Sequence, residues 1–196
     1  MPAHCHDWQT GLVPVYLHER FQGSEFYRGI KSVMTIHNLK FQGVWDIKTI
    51  KSITGLSDYY FTPDKLEFKK DANYLKGGLV YADAITTVSR TYAEEIKTPF
   101  YGEGLDGLMR ARTNDLRGIV NGIDYDEYNP ETDEFIYKHY NAKTFRKEKS
   151  KNKTGLQQDL GLDVDPKTMM IGIVSRLTDQ KGFDLIAYMM EEMCQD

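Results

Sequence analysis

Apolar, β-branched runs recur along the chain, and most of them end at polar or turn residues before a helical pattern begins. Runs this apolar suit strands that are covered on both faces, as in a parallel sheet whose strands alternate with helices. The pattern therefore predicts an α/β fold with polar side chains just past the carboxyl ends of its strands, where open α/β sheets bind ligands. The predicted strands are a short run at Ala3–His6, then Val33–Ile36, Ala84–Val88, Leu116–Val120 and Met169–Val174.

The segments between these runs predict helices and one excursion from the sheet. The segment Thr91–Glu94 has the spacing of a capping box and predicts the start of a helix. Apolar residues recur with helical spacing over Phe183–Met193, which predicts an amphipathic helix. Residues 7–17 also predict a helix, which Pro14 should kink or delay. The aromatic and charged stretch Gln42–Lys70 predicts a loop excursion of the kind that often covers a site.

A change of character near residues 120–130 predicts a domain boundary. We place one domain at residues 1–125 and the beginning of another at 126–196, since a domain usually takes about 100–200 residues. The second segment contains the most basic patch of the chain, Lys143–Lys153, for which a solvated helix face is the expected structure.

Composition and charge narrow the function classes. The chain has 196 residues, of which 40% are hydrophobic and 28% charged, as in a globular protein. Its 25 basic residues against 29 acidic ones give a net charge of −4, which disfavours nucleic acid and anionic membranes as partners. The start of the chain lacks a signal-peptide pattern, and no apolar run is long enough to span a bilayer. With only Cys5 and Cys194, these features predict a cytoplasmic protein.

A candidate anion site lies between the last predicted strand and the last helix. This segment, Val174–Phe183, carries Arg176 and Lys181 around the turn that opens the helix. Two cations beside a helix N-terminus suit a diphosphate, because the exposed N–H groups and the helix dipole add to their charge. Taken alone, such a pair is more often solvated surface.

The N-terminal motif His-Cys-His-Asp-Trp allows two interpretations. Alternation along a strand places His4 and His6 on one face, as a metal site would need, but no second ligand cluster accompanies them. The alternative is that His6 is a hydrogen-bonding residue at a strand end, that Asp7 caps the following helix and that Trp8 belongs to the core.

Two further strand ends carry candidate binding residues. His37 and Asn38 follow one strand, and Asn121 follows another within Asn-Gly, where turn geometry and a ligand contact are equally good explanations. The glycine-rich segment Tyr101–Gly107 has neither dinucleotide-binding spacing nor a Walker lysine. A Gly-x-Ser-x-Gly elbow is absent as well, which argues against a hydrolase.

Seven segments, in order, resemble the bacterial glycogen synthases and plant starch synthases, which are retaining glycosyltransferases. No single segment is diagnostic, but their order over nearly the whole chain is highly specific. The segments are His6–Leu12; Thr35–Leu39 with Phe41–Gly43; Leu75–Asp83; Thr86–Ala93; Tyr101–Gly102 with Gly107–Leu108; Val120–Asp124 with Asn129–Asp133; and Ser175–Gly182.

The resemblance implies a GT-B fold, in which two Rossmann-like domains face each other across a cleft. It also implies transfer of glucose from ADP-glucose to α-1,4-glucan, with Arg176 and Lys181 on the ADP phosphates and no cofactor or metal required. On the same basis His6 and Asn121 would contact the transferred glucose. The pair His37–Asn38 would be a secondary candidate in the cleft.

The resemblance also implies that parts of such an enzyme lie outside this sequence. The family's lysine-glycine-glycine loop should precede His6, and its glutamate motif and nucleotide pocket should follow Asp196. We therefore expect a piece of a synthase, truncated in both domains, that lacks activity alone and self-associates through its exposed apolar surface. The alternatives are a related transferase that uses another sugar nucleotide and a non-catalytic glucan-binding module.

Overall fold

A computed structural model describes residues 2–195, and its central feature is a four-stranded parallel sheet in the order β1-β2-β6-β7. A second, three-stranded antiparallel sheet has the order β3-β5-β4. The strands are β1 (Ala3–His6), β2 (Ser32–Ile36), β3 (Val44–Asp46), β4 (Glu67–Phe68), β5 (Asp71–Asn73), β6 (Ala84–Thr87) and β7 (Leu116–Gly118). The helices are α1 (Leu12–Tyr16), α2 (Ile47–Thr54), α3 (Tyr74–Tyr81), α4 (Arg90–Glu95), α5 (Asp106–Ala111), α6 (Phe145–Asp159) and α7 (Phe183–Met193).

The predicted α/β fold with a parallel sheet is confirmed. The register pairs His6 with Thr35, Thr35 with Thr86 and Thr87 with Gly118. The carboxyl ends of all four strands therefore lie along one edge, and the residues that follow them lie near one another.

The main core lies between the parallel sheet and its covering helices. Apolar residues of β2 and β6, such as Met34 and Ile85, are fully buried together with Leu75 and Leu79 of α3. The turn at Gly11 packs directly against the start of α3. The contact is so close that a Cβ on Gly11 would lie 2.2 Å from the carbonyl oxygen of Tyr74. A glycine is needed at this crossing for the two backbones to approach.

A single arginine completes the end of α3. The Arg112 guanidinium donates to the carbonyl oxygens of Leu79, Val80 and Ala82 at 2.6, 3.0 and 2.7 Å, and it pairs with Asp115 at 2.7 Å. The last carbonyls of a helix have no partner within the helix, so this side chain satisfies groups that would otherwise be orphaned.

The chain leaves the parallel sheet at Gln42–Lys70 as predicted, but the segment is not a plain loop. It contains β3, α2 and β4, and it contributes to a second apolar core centred on Tyr60, Leu66 and Ala72. The side chain of Asp46 caps α2 by accepting from Thr49 N.

Two helix starts differ from prediction. The N-cap of α4 is Ser89, whose hydroxyl accepts from Tyr92 N at 3.2 Å. Ser89 rather than Thr91 therefore caps this helix, and the predicted capping box was wrong. The predicted helix over residues 7–17 is divided into a 3-10 turn at Trp8–Thr10 and the helix α1. Pro14 is the third residue of α1, where its missing N–H costs no helical hydrogen bond.

The structure divides into two compact units between Gly122 and Ile123. In the second unit, the Asn152 side chain on α6 bonds both the N–H and the carbonyl of Lys138 at 2.8 Å. Buried Gln157 does the same for the backbone of Asp165 at 3.1–3.2 Å. Most basic side chains of α6 are exposed, as expected for a solvated face. Within residues 2–195, the helices are too short or too polar to span a membrane.

The strand predicted at Met169–Val174 is not formed. Most of its side chains are exposed, and Val174 is fully so. A β-strand needs a neighbour to complete its backbone hydrogen bonds, and residues 123–195 contain no other strand that could pair with it. The apolar run was identified correctly, but the sheet that would make it a strand is not among these residues.

Candidate functional site

Two histidines meet at the carboxyl edge of the parallel sheet. His6 is the last residue of β1, and His37 directly follows β2, the neighbouring strand. Their rings are joined by a hydrogen bond of 3.0 Å between His6 Nδ1 and His37 Nε2, and both side chains are exposed. The parallel register thus brings together two of the residues singled out in the sequence.

Asp7 holds this arrangement with a strained backbone. Its φ of 52° lies in a region that side-chain-bearing residues rarely adopt, and such strain clusters at functional sites. The carboxylate accepts from the backbone N–H of His37 at 2.7 Å. Asp7 makes no side-chain cap on the following turn, so its interpretation as a helix cap was wrong.

Hydrogen bonds of threonine hydroxyl groups hold the ends of β1 and β2 in place. The Thr10 hydroxyl accepts from His6 N at 2.6 Å and donates to the His6 carbonyl at 2.8 Å. His4 Nε2 bonds Thr35 Oγ1 at 2.7 Å, which in turn bonds Thr86 Oγ1 at 2.6 Å across the next strand. These bonds leave His6 and His37 at the surface on a rigid base.

The surroundings lower the pKa of His6 below its ordinary value of 6.5. Desolvation of the ring is the main cause, followed by the neighbouring imidazoles of His4 and His37, while Asp7 acts in the opposite direction. A neutral imidazole can donate through one nitrogen and accept through the other. Because its Nδ1 is bonded to His37, Nε2 is the nitrogen of His6 that can bond a hydroxyl group of a ligand.

The metal interpretation of the N-terminal motif gains no support. Among residues 2–195, no group of three or more His, Cys, Asp or Glu side chains is placed to hold a metal ion. The ring of His4 lies 4.2 Å from that of His6, but its Nε2 is engaged by Thr35.

The two candidate asparagines occupy the same edge of the sheet. Asn38 follows His37 and forms a turn, in which its side chain accepts from Lys40 N at 3.0 Å. Asn121 is exposed and lies three residues beyond β7, in a segment anchored by the Ile119 N–H to the Thr87 carbonyl at 2.7 Å. One strand, β6, separates β2 from β7, so Asn121 is not brought into contact with the histidine pair by strand adjacency.

Arg176 and Lys181 lie in the second unit, on a compact turn that leads into α7. Thr178 N donates to the Arg176 carbonyl, and Lys181 N donates to the Thr178 carbonyl, both at 2.9 Å. Gly182, at φ 69°, then begins the helix. Both cationic side chains are exposed, with Arg176 before and Lys181 within the short turn Asp179–Lys181 that precedes α7.

Sequence reasoning missed the anchoring roles of Asp7 and Thr10. A backbone strain cannot be read from residue types, and a threonine four residues after a strand-end histidine has no distinctive pattern. The signal that could have found Asp7 is its position directly after a strand end, where a short carboxylate can reach a neighbouring strand as readily as its own turn.

Comparison with known proteins places these features in a family context. The family model for the starch synthase catalytic domain matches residues 3–111. The chain is 72% identical over 193 residues to a glycogen synthase of Lachnospira eligens and 47% identical over 190 residues to one of Exiguobacterium sibiricum. A solved catalytic domain of starch synthase IV from Arabidopsis thaliana, bound to ADP and acarbose, matches with a TM-score of 0.86 at 32% identity.

These matches cover almost all of this chain but a minority of each relative. They include 98% and 97% of the chain for the two glycogen synthases, and 97% for the starch synthase structure. The chain spans about 40% of the length of the curated relatives and 39% of the solved chain.

Proposed function

Because this chain belongs to the starch synthase catalytic domain family, we propose that it serves a glycogen or starch synthase. The reaction is transfer of glucose from ADP-glucose to the non-reducing end of an α-1,4-glucan, with retention at the anomeric carbon. The observation that carries the proposal is the histidine pair, positioned by Asp7 at the carboxyl edge of the sheet in a chain 72% identical to a glycogen synthase.

The two units supply different parts of the reaction. In the first unit, His6 and Asn121 bind hydroxyl groups of the transferred glucose, with His37 and Asn38 as neighbouring contacts. The neutral state favoured at His6 supports this role, since its Nδ1 is bonded to His37 and its remaining nitrogen, Nε2, can form one hydrogen bond with a sugar hydroxyl.

In the second unit, Arg176 and Lys181 bind the diphosphate of the donor. The bond that breaks leaves negative charge on that diphosphate, and fixed cations beside a helix N-terminus stabilise it. Because the two side chains supply this charge, the proposal includes no metal and no cofactor besides the donor substrate. The solved starch synthase that the chain resembles is bound to ADP.

Two further parts of the proposal concern the protein's surroundings. Free Cys5 and Cys194 support a cytoplasmic location, where thiols stay reduced. Exposed apolar side chains of the second unit, such as Val174, Leu177 and Tyr188, support self-association of this chain in isolation. Sedimentation velocity at increasing protein concentration tests the second part, and a strictly monomeric chain would contradict it.

A chimera tests the catalytic proposal. This chain replaces the matching 193-residue segment of the Lachnospira eligens glycogen synthase, and glucose transfer to glycogen is measured with ADP-glucose and UDP-glucose in parallel. We expect transfer from ADP-glucose by the chimera and none by the 196-residue chain alone. A folded chimera that transfers from UDP-glucose instead would favour the related transferase, and measurable transfer by the isolated chain would contradict the expected dependence on the remaining segments.

A matched pair of variants in the chimera tests the phosphate site. Lys181→Gln should lower kcat by about 10²–10³, the usual cost of removing one group that stabilises developing charge. Lys147→Gln, which removes an equal charge from the exposed face of α6, should leave kcat unchanged. Equal kcat values for both variants would remove Lys181 from the reaction.

A further inference from the structure

A cavity of about 130 Å³ lies at the amino edge of the parallel sheet, away from the histidine pair. Ser32, the first residue of β2, and Asp83, which directly precedes β6, form part of its lining. His37 lies at the opposite end of β2, and a strand of this length spans about 13 Å. The cavity is therefore separate from the candidate site, and we call it the amino-edge cavity.

Two segments of the first unit form the walls of the amino-edge cavity. One is the π-helical turn Leu17–Phe21, and the other is the loop 22–31 that leads into β2. The ring of Phe21 packs on the ring of Tyr27 with centres 4.6 Å apart, which joins the two segments. Short π-helical turns are rare and are frequently found at functional sites.

The carboxylate in the lining is already satisfied by its neighbours. Asp83 Oδ1 accepts from Lys31 Nζ at 2.7 Å. Asp83 Oδ2 accepts from Ser32 N at 2.8 Å and from Ser32 Oγ at 3.2 Å. These donors compensate the negative charge of Asp83, so the carboxylate does not need a ligand cation.

Arg28 is the cation of the lining that is left over. Within residues 2–195, its guanidinium has no hydrogen-bond or ion-pair partner, although its backbone N–H is fixed by the Ser24 carbonyl at 3.0 Å. A guanidinium presents its N–H donors in a planar fork that matches two oxygens of a phosphate group. His18, whose ring packs on Tyr81 with centres 5.0 Å apart, and Gln22 add polar groups to the same lining.

We propose that the amino-edge cavity binds a phosphate group, either as the free ion or as part of a small phosphate monoester. Arg28 binds two of its oxygens, and His18 and Gln22 add hydrogen bonds. The cavity is smaller than the about 300–1,000 Å³ of sites for larger ligands, so a nucleotide does not fit. The proposal does not depend on the proposed function, which assigns the donor diphosphate to the second unit.

The ring signals of His18 report on the amino-edge cavity in solution. Sodium phosphate is titrated into the 196-residue chain at fixed pH and ionic strength, and the histidine signals are followed by NMR, with the variant His18→Gln to assign them. We expect a saturable shift of the His18 signals at millimolar phosphate. Glycerol 3-phosphate is titrated in parallel, and the probe with the lower Kd identifies the ligand as a monoester or as the free ion.

Three variants test the location of the bound phosphate. Arg28→Gln should raise the Kd for phosphate at least about tenfold, since it removes the bidentate donor. Arg117→Gln, at an exposed position outside the lining, should leave the Kd unchanged. Lys181→Gln should leave it unchanged as well, which separates this cavity from the diphosphate site proposed in the second unit.

The variant Arg28→Gln should fold normally, because the side chain is exposed and bonds no other residue among 2–195. Equal urea midpoints for this variant and the unaltered chain check that the change in Kd comes from the cavity. Absence of a saturable His18 shift would overturn the proposal. Equal changes in Kd for the two arginine variants would overturn it too, since they would show a general effect of charge.

Discussion

Gln42 joins its own loop to a second loop and to a helix start, and replacing it with leucine should destabilise the first unit. Its amide nitrogen donates to the carbonyls of Leu39 at 3.0 Å and Glu103 at 3.1 Å, and its oxygen accepts from Asn73 Nδ2 at 2.6 Å. Asn73 is fully buried and also caps α3 by accepting from Lys76 N at 2.8 Å. One side chain thus ties the loop after β2 to the glycine-rich loop and to a helix start.

The magnitude follows from the groups that Gln42→Leu would leave unpaired. Glu103 is exposed, so its carbonyl can bond water instead. The Leu39 carbonyl and the Asn73 amide have no such replacement, since both residues are 0% exposed. Each buried polar group without a partner costs about 1–3 kcal/mol, which gives a loss of roughly 2–6 kcal/mol in the free energy of unfolding.

Urea unfolding followed by tryptophan fluorescence measures this loss, because both tryptophans lie in the first unit. With a urea dependence of about 2 kcal/mol/M, the midpoint should fall by roughly 1–3 M. Gln22→Leu, at an exposed position in the same unit, should change stability by less than about 0.5 kcal/mol. A loss below about 1 kcal/mol for Gln42→Leu would refute the reasoning, since it would mean that water or a rearranged loop satisfies the orphaned groups.

Three further predictions concern other fixed points of the first unit. Arg112→Met should lower the free energy of unfolding by about 2–4 kcal/mol, because it removes the donor for the carbonyls of Leu79, Val80 and Ala82 at the end of α3. Arg117→Met, at an exposed position, should have little effect on the free energy of unfolding. Gly43→Ala should lower the free energy of unfolding by about 1–2 kcal/mol or more, because Gly43 has a positive φ and its Cβ would contact the Trp8 indole. Gly29→Ala, whose Cβ would meet open space, should lower it by no more than about 0.5 kcal/mol. Equal urea midpoints for the two variants would contradict this prediction. The pKa of His6 should lie below 6.5 in a histidine NMR titration, so the contribution of His6 to stability is present above pH 6.5 and is lost as the pH falls through that lowered pKa; a pKa at or above 6.5 would show that neither desolvation nor the neighbouring imidazoles lower it.

The fold was predictable where local pattern and tertiary context agree. The apolar runs at β2 and β6 became central strands, because both faces are covered and both edges have parallel partners. The run at Met169–Val174 has the same composition and forms no strand, because residues 123–195 offer it no partner. Strand propensity is mainly a preference for a pleated, half-buried surface, so without that surface it has no effect.

The candidate site was predictable only in part, for a different reason. The pairing of His6 with His37 follows from two strand ends and the parallel rule, which are both readable from sequence. The role of Asp7 is not readable, since its carboxylate serves a residue thirty positions away through a backbone conformation that the side chain does not favour. The α4 cap shows the same limit at short range, because Ser89 and Thr91 offer equally good hydroxyls and the strand end at Thr87 decides between them.

The family motifs in this chain contain residues that stabilise the fold and residues that are candidates for ligand contact, and the burial of each side chain distinguishes the two kinds. Gly11 and Gln42 belong to matched segments, yet one permits a backbone crossing and the other is 7% exposed with its polar atoms satisfied internally. His6 and His37 are exposed, and one hydrogen bond joins their rings. An exposed hydrogen bond of this kind adds little to the free energy of unfolding. A residue that is costly to position and contributes little to stability is a candidate for ligand binding, which is the role proposed for this pair. By the same criterion Phe41, which is 51% exposed, belongs with the histidines rather than with the core.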